Sequence, residues 1–224
     1  MVSFAARFED PPLVWGVGRV TVDDEVVPWP VSSADVDDEA ESLAPRLAAL
    51  GLGDGGLVLL VSLLSQAIHV VPFEQAAGRL GARYSSADAT PFDAFRTVAL
   101  TRQLTPAVVL GIDSRVCDGI EGLGRGLGDV FVSVGAVVAA DADAARRLAS
   151  AGLPVARWLR LGPTSAVSTP TDDALVYDDA RWRVDEEDGA LLLTNLVPRL
   201  TGCERFRTGV RGRVLGPGRL ALER

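Results

Sequence analysis

From Asp35 onward the chain settles into a regular alternation of helical and extended hydrophobic patterns. Val36, Ala40, Leu43, Leu47 and Leu50 recur at steps of four and three, which places them on one helical face. Ser33 or Asp35 stands where a cap is wanted, and Gly51 follows as a stop signal. Beyond the Gly53-Asp54-Gly55-Gly56 turn, Leu57-Val58-Leu59-Leu60-Val61 is apolar without interruption, the pattern of a strand buried on both faces. The spacing predicts a second helix over Ser65 to Leu80, a short strand near Arg83-Tyr84, and a helix opened by the cap and first-turn proline Thr90-Pro91. A strand is predicted over Ala107 to Ile112, then a helix starting at Asp113 or Ser114. The glycine-rich stretch Gly122 to Gly128 reads as a mobile loop. Val130 to Val134 reads as a strand, Ala142 to Ala151 as a helix and Val155 to Leu161 as a strand.

Strands alternating with helices imply a mostly parallel sheet covered on both faces. After Thr171 the pattern changes to short strands joined by turns such as Glu187-Asp188-Gly189. Residues 1–31 carry short apolar pieces broken by Pro11, Pro12, Pro28 and Pro30 and read as an irregular N-terminal segment. The expected class is therefore α/β: a doubly wound, mostly parallel sheet over 32–170, followed by a small β-rich part over 171–224.

Composition narrows the chemistry. The chain has 224 residues, 48% hydrophobic and 23% charged, with a formal net charge of −8. That size buries a real core. The acidic balance leaves no basic nucleic-acid footprint, and no apolar run reaches the roughly 18–20 residues of a membrane helix. The first ten residues lack a basic start followed by an apolar stretch, so no secretory leader is expected and the location is expected to be cytoplasmic. One histidine, His69, and two cysteines, Cys117 and Cys203, make neither a disulfide framework nor a Cys/His metal set. All 22 basic side chains are arginine. The absence of lysine excludes Schiff-base chemistry and a phosphate-loop lysine.

Seven segments, in order, resemble the large domain of adenylate-forming acyl- and aryl-CoA ligases, closest to the phenylacetate-CoA ligase branch. Gly51-Leu52-Gly53-Asp54 and the strand at Leu57 are similar to that family's "G-L-x-x-G-D" turn and strand. Pro72 to Ala82 resembles its next helix, and Leu104 to Gly111 its "L-x-P-T-x-L-x-G". Val134 to Leu153 resembles a strand–helix unit, Leu161-Gly162-Pro163-Thr164-Ser165 falls on "Y-G-x-T-E", Gly189 to Leu196 on "G-x-L-v-l-T-n-L", and Arg205 to Val210 on "R-y-R-T-G-D". The resemblance implies the large-domain fold without the small C-terminal cap domain, a truncated and degenerate member.

It also implies losses. The family's phosphate loop is matched by Pro30 to Asp35, where only Ser32 and Ser33 remain, no glycine is left and the acidic run Asp35, Asp37, Asp38, Glu39 follows. The family's metal-binding glutamate falls on Ser165 and its ribose-binding aspartate on Val210, while Thr164 and Thr208 are retained. A hydroxyl is a poor ligand for a hard cation, and valine accepts no hydrogen bond.

The expected ligand pocket, placed by the resemblance, comprises His69, Phe73, Tyr84, Gly162, Thr164 and Ser165. Ser32, Ser33, Ser165, Thr208 and Val210 are expected to be degenerate nucleotide-site positions. No catalytic residue and no metal ligand is assigned. Arg205, Arg207 and Arg211 form a local positive group that could meet a phosphate or an acidic partner. ATP and Mg²⁺ are not expected as cofactors; CoA, acyl-CoA or a small acyl or aromatic acid are the candidate ligands. A homodimer or a catalytic partner protein is expected, and no nucleic acid or membrane. The expected function is a non-adenylating binding or partner subunit in acyl-CoA, aromatic-acid or natural-product metabolism. An ATP-independent enzyme that reuses the acyl pocket and a split ligase completed by another polypeptide are the alternatives.

Overall fold

The computed structural model describes residues 2–4, 13–22 and 25–223. A short strand β1 (Val2–Phe4) precedes a hairpin of β2 (Val14–Val22) and β3 (Glu25–Ser32). Helix α1 (Ser33–Ala49) leads to β4 (Leu57–Ser62), α2 (Ala67–Arg79) and β5 (Arg83–Asp88). Next come α3 (Ala94–Leu104), β6 (Val108–Ile112), α4 (Ser114–Gly122), α5 (Leu127–Phe131), β7 (Ala136–Ala139), α6 (Ala142–Ser150) and β8 (Val155–Leu161). The remainder is extended: β9 (Thr164–Thr169), β10 (Asp172–Val176), β11 (Trp182–Glu187), β12 (Ala190–Asn195), β13 (Thr201–Cys203), β14 (Phe206–Gly216) and β15 (Arg219–Leu222).

Among the described residues, eleven strands form one sheet in the order β11-β12-β14-β15-β10-β9-β8-β7-β6-β4-β5. Strands β5, β4, β6, β7 and β8 run parallel, and pairing turns antiparallel from β8 to β9 onward. Strand alternation feeds two cores. Val58 and Leu60 of β4 pack with Leu43 and Leu47 of α1 and Phe73 of α2, whereas Leu59 and Val61 face Val116 and Ile120 of α4 and Phe131 of α5. A third core joins the hairpin to the antiparallel half through Val20, Trp29, Ile68, Trp182 and Phe206. Gly111, at φ +100°, lets β6 bend: a Cβ there would lie 2.1 Å from the Val61 carbonyl oxygen.

The α/β class, the covered faces and the β-rich end agree with expectation. Three readings need correction. The N-terminal segment is not irregular over 14–32, where β2 and β3 pair from Val14–Ser32 to Val22–Glu25; residues 1, 5–12 and 23–24 lie outside the described residues. Pro28 and Pro30 are two apart, so their missing donors fall on one edge, and β3 pairs along one edge only. Second, the apolar run Val130 to Val134 is not a strand. It begins in α5, with Val130 and Phe131 buried but Val132 78% exposed, while the four-residue run of β7 is buried throughout. Third, the glycine-rich stretch is not all loop: Gly122 ends α4 and Leu127-Gly128 open α5, leaving a short turn with Gly124 in the left-handed region and Gly126 at the N-cap of α5.

Candidate ligand cavity

An open cavity of about 510 Å³ lies beyond the carboxyl ends of β4, β6 and β8. This is where open α/β sheets place their ligands. Leu63 and Gln66 follow β4, Arg115 follows β6, and Arg160 and Gly162 sit at the end of β8. The hairpin contributes Arg19, Val20 and Val26, and β14 contributes Thr208, Gly209 and Val210. His69, from the first turn of α2, completes the wall.

The electrostatics are one-sided. Arg19, Arg115 and Arg160 line the cavity, and among the described residues no aspartate or glutamate does. Asp113 is the carboxylate beside them: it caps α4 through the Val116 N–H (2.9 Å) and pairs with Arg115 at 2.6 Å. Arg160 leans over the Trp158 ring at 5.9 Å from its centroid. Neither Arg160 nor Arg19 makes an ion pair among the described residues. The His69 ring is buried, and its Nδ1 has no hydrogen-bond partner among the described residues. Burial, helped by the neighbouring Arg160 charge, pushes its pKa down to about 3, so the ring is neutral at ordinary pH.

Of the residues expected at a ligand pocket, His69 and Gly162 line the cavity, together with Thr208 and Val210. Phe73 is fully buried one turn further along α2, edge-on to Trp158 at 5.6 Å between ring centroids. Tyr84 pairs in register with Val58 near the start of β4, at the opposite end of the strands from the cavity. Thr164 and Ser165 are buried in the fold. The Thr164 hydroxyl donates to Glu39 (2.8 Å), and the Ser165 Oγ accepts from Trp158 Nε1 (3.0 Å).

The Ser32–Asp35 stretch is a helix cap and not a loop. Ser32 Oγ accepts from the Asp35 N–H (3.1 Å), and the Asp35 carboxylate accepts from the Ser32 N–H and hydroxyl, both at 2.8 Å. This reciprocal box spends the polar groups a phosphate would need. The cap residue is Ser32, one position ahead of the expected Ser33, which opens the helix itself. Arg205 pairs with Glu187 at 2.9 Å, Arg207 approaches the same carboxylate at 3.9 Å, and Arg211 pairs with Glu223 at 2.8 Å. These three arginines meet carboxylates at the end of β11 and after β15, and none of them is in the cavity lining.

Behind the cavity, Glu39 is enclosed by donors: Arg199 Nη2 and Trp182 Nε1, each at 2.8 Å, and the Thr164 hydroxyl. Burial pushes its carboxyl above the ordinary range, opposed by the Arg199 charge and the two neutral donors. Both cysteines are buried free thiols, raised by burial to about 12 for Cys117 and about 11 for Cys203. They stay protonated and are poor nucleophiles. Neither periodicity nor the family resemblance singles out Arg19, Arg115 and Arg160. The signal that could have found two of them is position: Arg115 and Arg160 sit at the ends of predicted parallel strands.

No family model and no curated protein matches the sequence. Solved structures do match the fold. An open conformation of 2-hydroxyisobutyryl-CoA ligase, bound to 2-HIB-AMP and CoA, superposes with a TM-score of 0.73 at 15% identity, covering 93% of this chain and 56% of that one. The anthranilate CoA ligase AuaEII, bound to anthranoyl-AMP, gives 0.65 at 12% identity, with 93% and 46% covered. A malonyl-CoA ligase product complex with methylmalonyl-CoA and AMP gives 0.63 at 11% identity, with 96% and 53% covered. The chain thus has the fold of the large domain of adenylate-forming CoA ligases and spans about half the length of these enzymes.

Proposed function

We propose that the chain is a binding protein built on the CoA-ligase fold that does not adenylate its ligand. One observation carries this reading: the cavity is open, while the positions that the resemblance assigns to phosphate, metal and ribose are committed to the fold or chemically silent. Ser32 is tied into the α1 cap, Ser165 holds the Trp158 indole N–H, and Val210 presents hydrocarbon to the cavity. Adenylation needs charge held against the developing transition state, and neither a serine bonded to an indole nor a valine supplies it. A cavity of this volume suits a small acyl or aromatic acid, or the acyl end of an acyl-CoA.

Its role is that of a binding or partner subunit in acyl-CoA, aromatic-acid or natural-product metabolism, as a homodimer or beside a catalytic partner. Large apolar side chains left exposed on β2 and on the segment before α2 support association: Val14, Trp15, Val17 and Leu64. The test is ATP–pyrophosphate exchange over a panel of carboxylic acids, run beside thermal-shift measurements with CoA, acyl-CoAs and aromatic acids. The expected outcome is no exchange together with a ligand-dependent rise in Tm. Robust exchange overturns the proposal. Light scattering of the purified chain reads its association state.

A further inference from the structure

We infer that the cavity is built for a small organic dianion: two acidic groups, carboxylate or phosphate, on a short hydrocarbon or aromatic body. The inference deepens the reading of the chain as a binding protein and rests on it.

Three guanidinium groups, on Arg19, Arg115 and Arg160, face about 510 Å³, and among the described residues the carboxylate paired with any of them is Asp113. Asp113 is already shared between the Arg115 guanidinium and the α4 cap. Among the described residues Arg19 and Arg160 are therefore left without an ion-pair partner, in a chain whose formal net charge is −8. Guanidinium forks match carboxylate and phosphate oxygens, and a concave site of one sign concentrates the opposite ion.

The three arginines come from separate elements: β2, the first turn of α4 and the end of β8. A ligand meeting all of them spans the cavity, so its acidic groups are separated by a body. That body meets Val20, Val26, Leu63 and Val210. The buried, unpartnered Nδ1 of His69 is a second and independent sign of a missing polar partner at the same wall. Since the ring is neutral, it adds no fourth charge to that wall.

The test is calorimetric titration with two pairs of probes, glutarate and monomethyl glutarate, phthalate and monomethyl phthalate, beside phenyl phosphate as a probe with a single acidic group. Each is run on the wild-type chain, Arg160→Gln, Arg19→Gln and the control Arg205→Gln. At least one dicarboxylate should bind about ten-fold or more tightly than its mono-charged counterpart. Phenyl phosphate should bind more weakly than that dicarboxylate. Arg160→Gln and Arg19→Gln should each weaken the dianion about ten-fold, Arg205→Gln should not, and raising the salt should weaken it further. Arg19 is exposed on a hairpin strand, so its variant keeps the unliganded Tm and remains informative if Arg160→Gln folds poorly.

Equal binding of each pair, or unchanged binding in both arginine variants, overturns the inference. If only CoA, acyl-CoAs or monoacids bind, the dianion falls while the binding-protein reading stands. If no dianion binds and ATP–pyrophosphate exchange is robust, both fall.

Discussion

Glu39 and Arg199, 160 residues apart in sequence, form an ion pair of 2.8 Å with side chains only 7% and 5% exposed. Arg199 also stacks over the Trp182 ring at 4.5 Å and reaches Asp38 at 2.5 Å. The pair ties α1 to the loop before β13 and, through Trp182 and Thr164, to β11 and β9. The acidic run after Ser33 is thus internal scaffolding at Glu39. Removing one member of a buried pair leaves the other charge stranded, which costs about 3–5 kcal/mol. Arg199→Met should lower urea stability by that amount. Adding Glu39→Gln should recover part of it, because a neutral amide oxygen still accepts from Trp182. A loss below about 1 kcal/mol in Arg199→Met would show that the pair does not pin the halves together.

His69 gives a stability term with a defined sign. Its folded pKa, about 3, lies below the ordinary 6.5, first because of burial and second because of Arg160. Between those values the unfolded chain binds more protons than the folded one, so stability falls as pH falls. The contribution is complete above pH about 6.5 and fades toward pH about 3, at up to about 1.4 kcal/mol per pH unit. Going from pH 7.5 to pH 5, the wild type should lose about 2 kcal/mol more than His69→Gln. Because the chain has one histidine, its NMR titration is unambiguous. A ring titrating near 6.5 in the folded protein would refute the assignment.

How much of this was readable beforehand follows the range of the interactions. Leu57 to Val61 and Ala107 to Ile112 announce themselves, because a strand buried on both faces needs nothing but an apolar run. Helix boundaries near Leu50 and Leu80 follow from the glycines after them, Gly51 and Gly81. Val130 to Val134 misled because valine and phenylalanine favour strands locally, whereas tertiary packing buries one side of a short helix there and gives the strand to Ala136–Ala139. The hairpin was obscured by Pro28 and Pro30, which read as breakers until their free edge is known. The arginine cavity was legible only in part: Arg115 and Arg160 stand at the ends of predicted strands, but only the sheet order brings those ends together, and the separate β2–β3 hairpin carries Arg19 to them.

Gly18 fixes how the hairpin sits on α2. A Cβ at this position would come within 2.2–2.7 Å of three Ile68 side-chain carbons. Gly18→Ala should therefore lift β2 from α2, displace Arg19 and Val20 from the cavity, and cost about 1–3 kcal/mol of stability. Ile68→Ala in the same chain should restore part of the lost ligand binding by clearing the space. Calorimetry of the single and double variants, beside urea melts, checks this. Independent, additive effects would mean that the two residues do not set the hairpin's position.

Reinstating the two carboxylates that the resemblance finds missing should not create a ligase. Ser165 is 4% exposed and accepts the Trp158 indole N–H. Ser165→Glu puts a larger group into that space and strands the indole donor, with Arg160, its register partner on β8, as the cation that could meet the new charge, so a loss of about 1–3 kcal/mol is expected. Val210→Asp is milder, because residue 210 is half-buried on the cavity wall, where Arg19, Arg115 and Arg160 offer the new carboxylate a partner. That partnership also works against nucleotide binding, since the introduced carboxylate would occupy the arginines in place of holding a ribose. The chain supplies no lysine to grip a phosphate, and Ser32 remains locked in the α1 cap. The double variant should show background ATP–pyrophosphate exchange, a lowered urea midpoint and weakened anion binding. Exchange clearly above background would mean that two side chains are all that separate this fold from adenylation, and that the α1 cap and the missing lysine are no barrier to it.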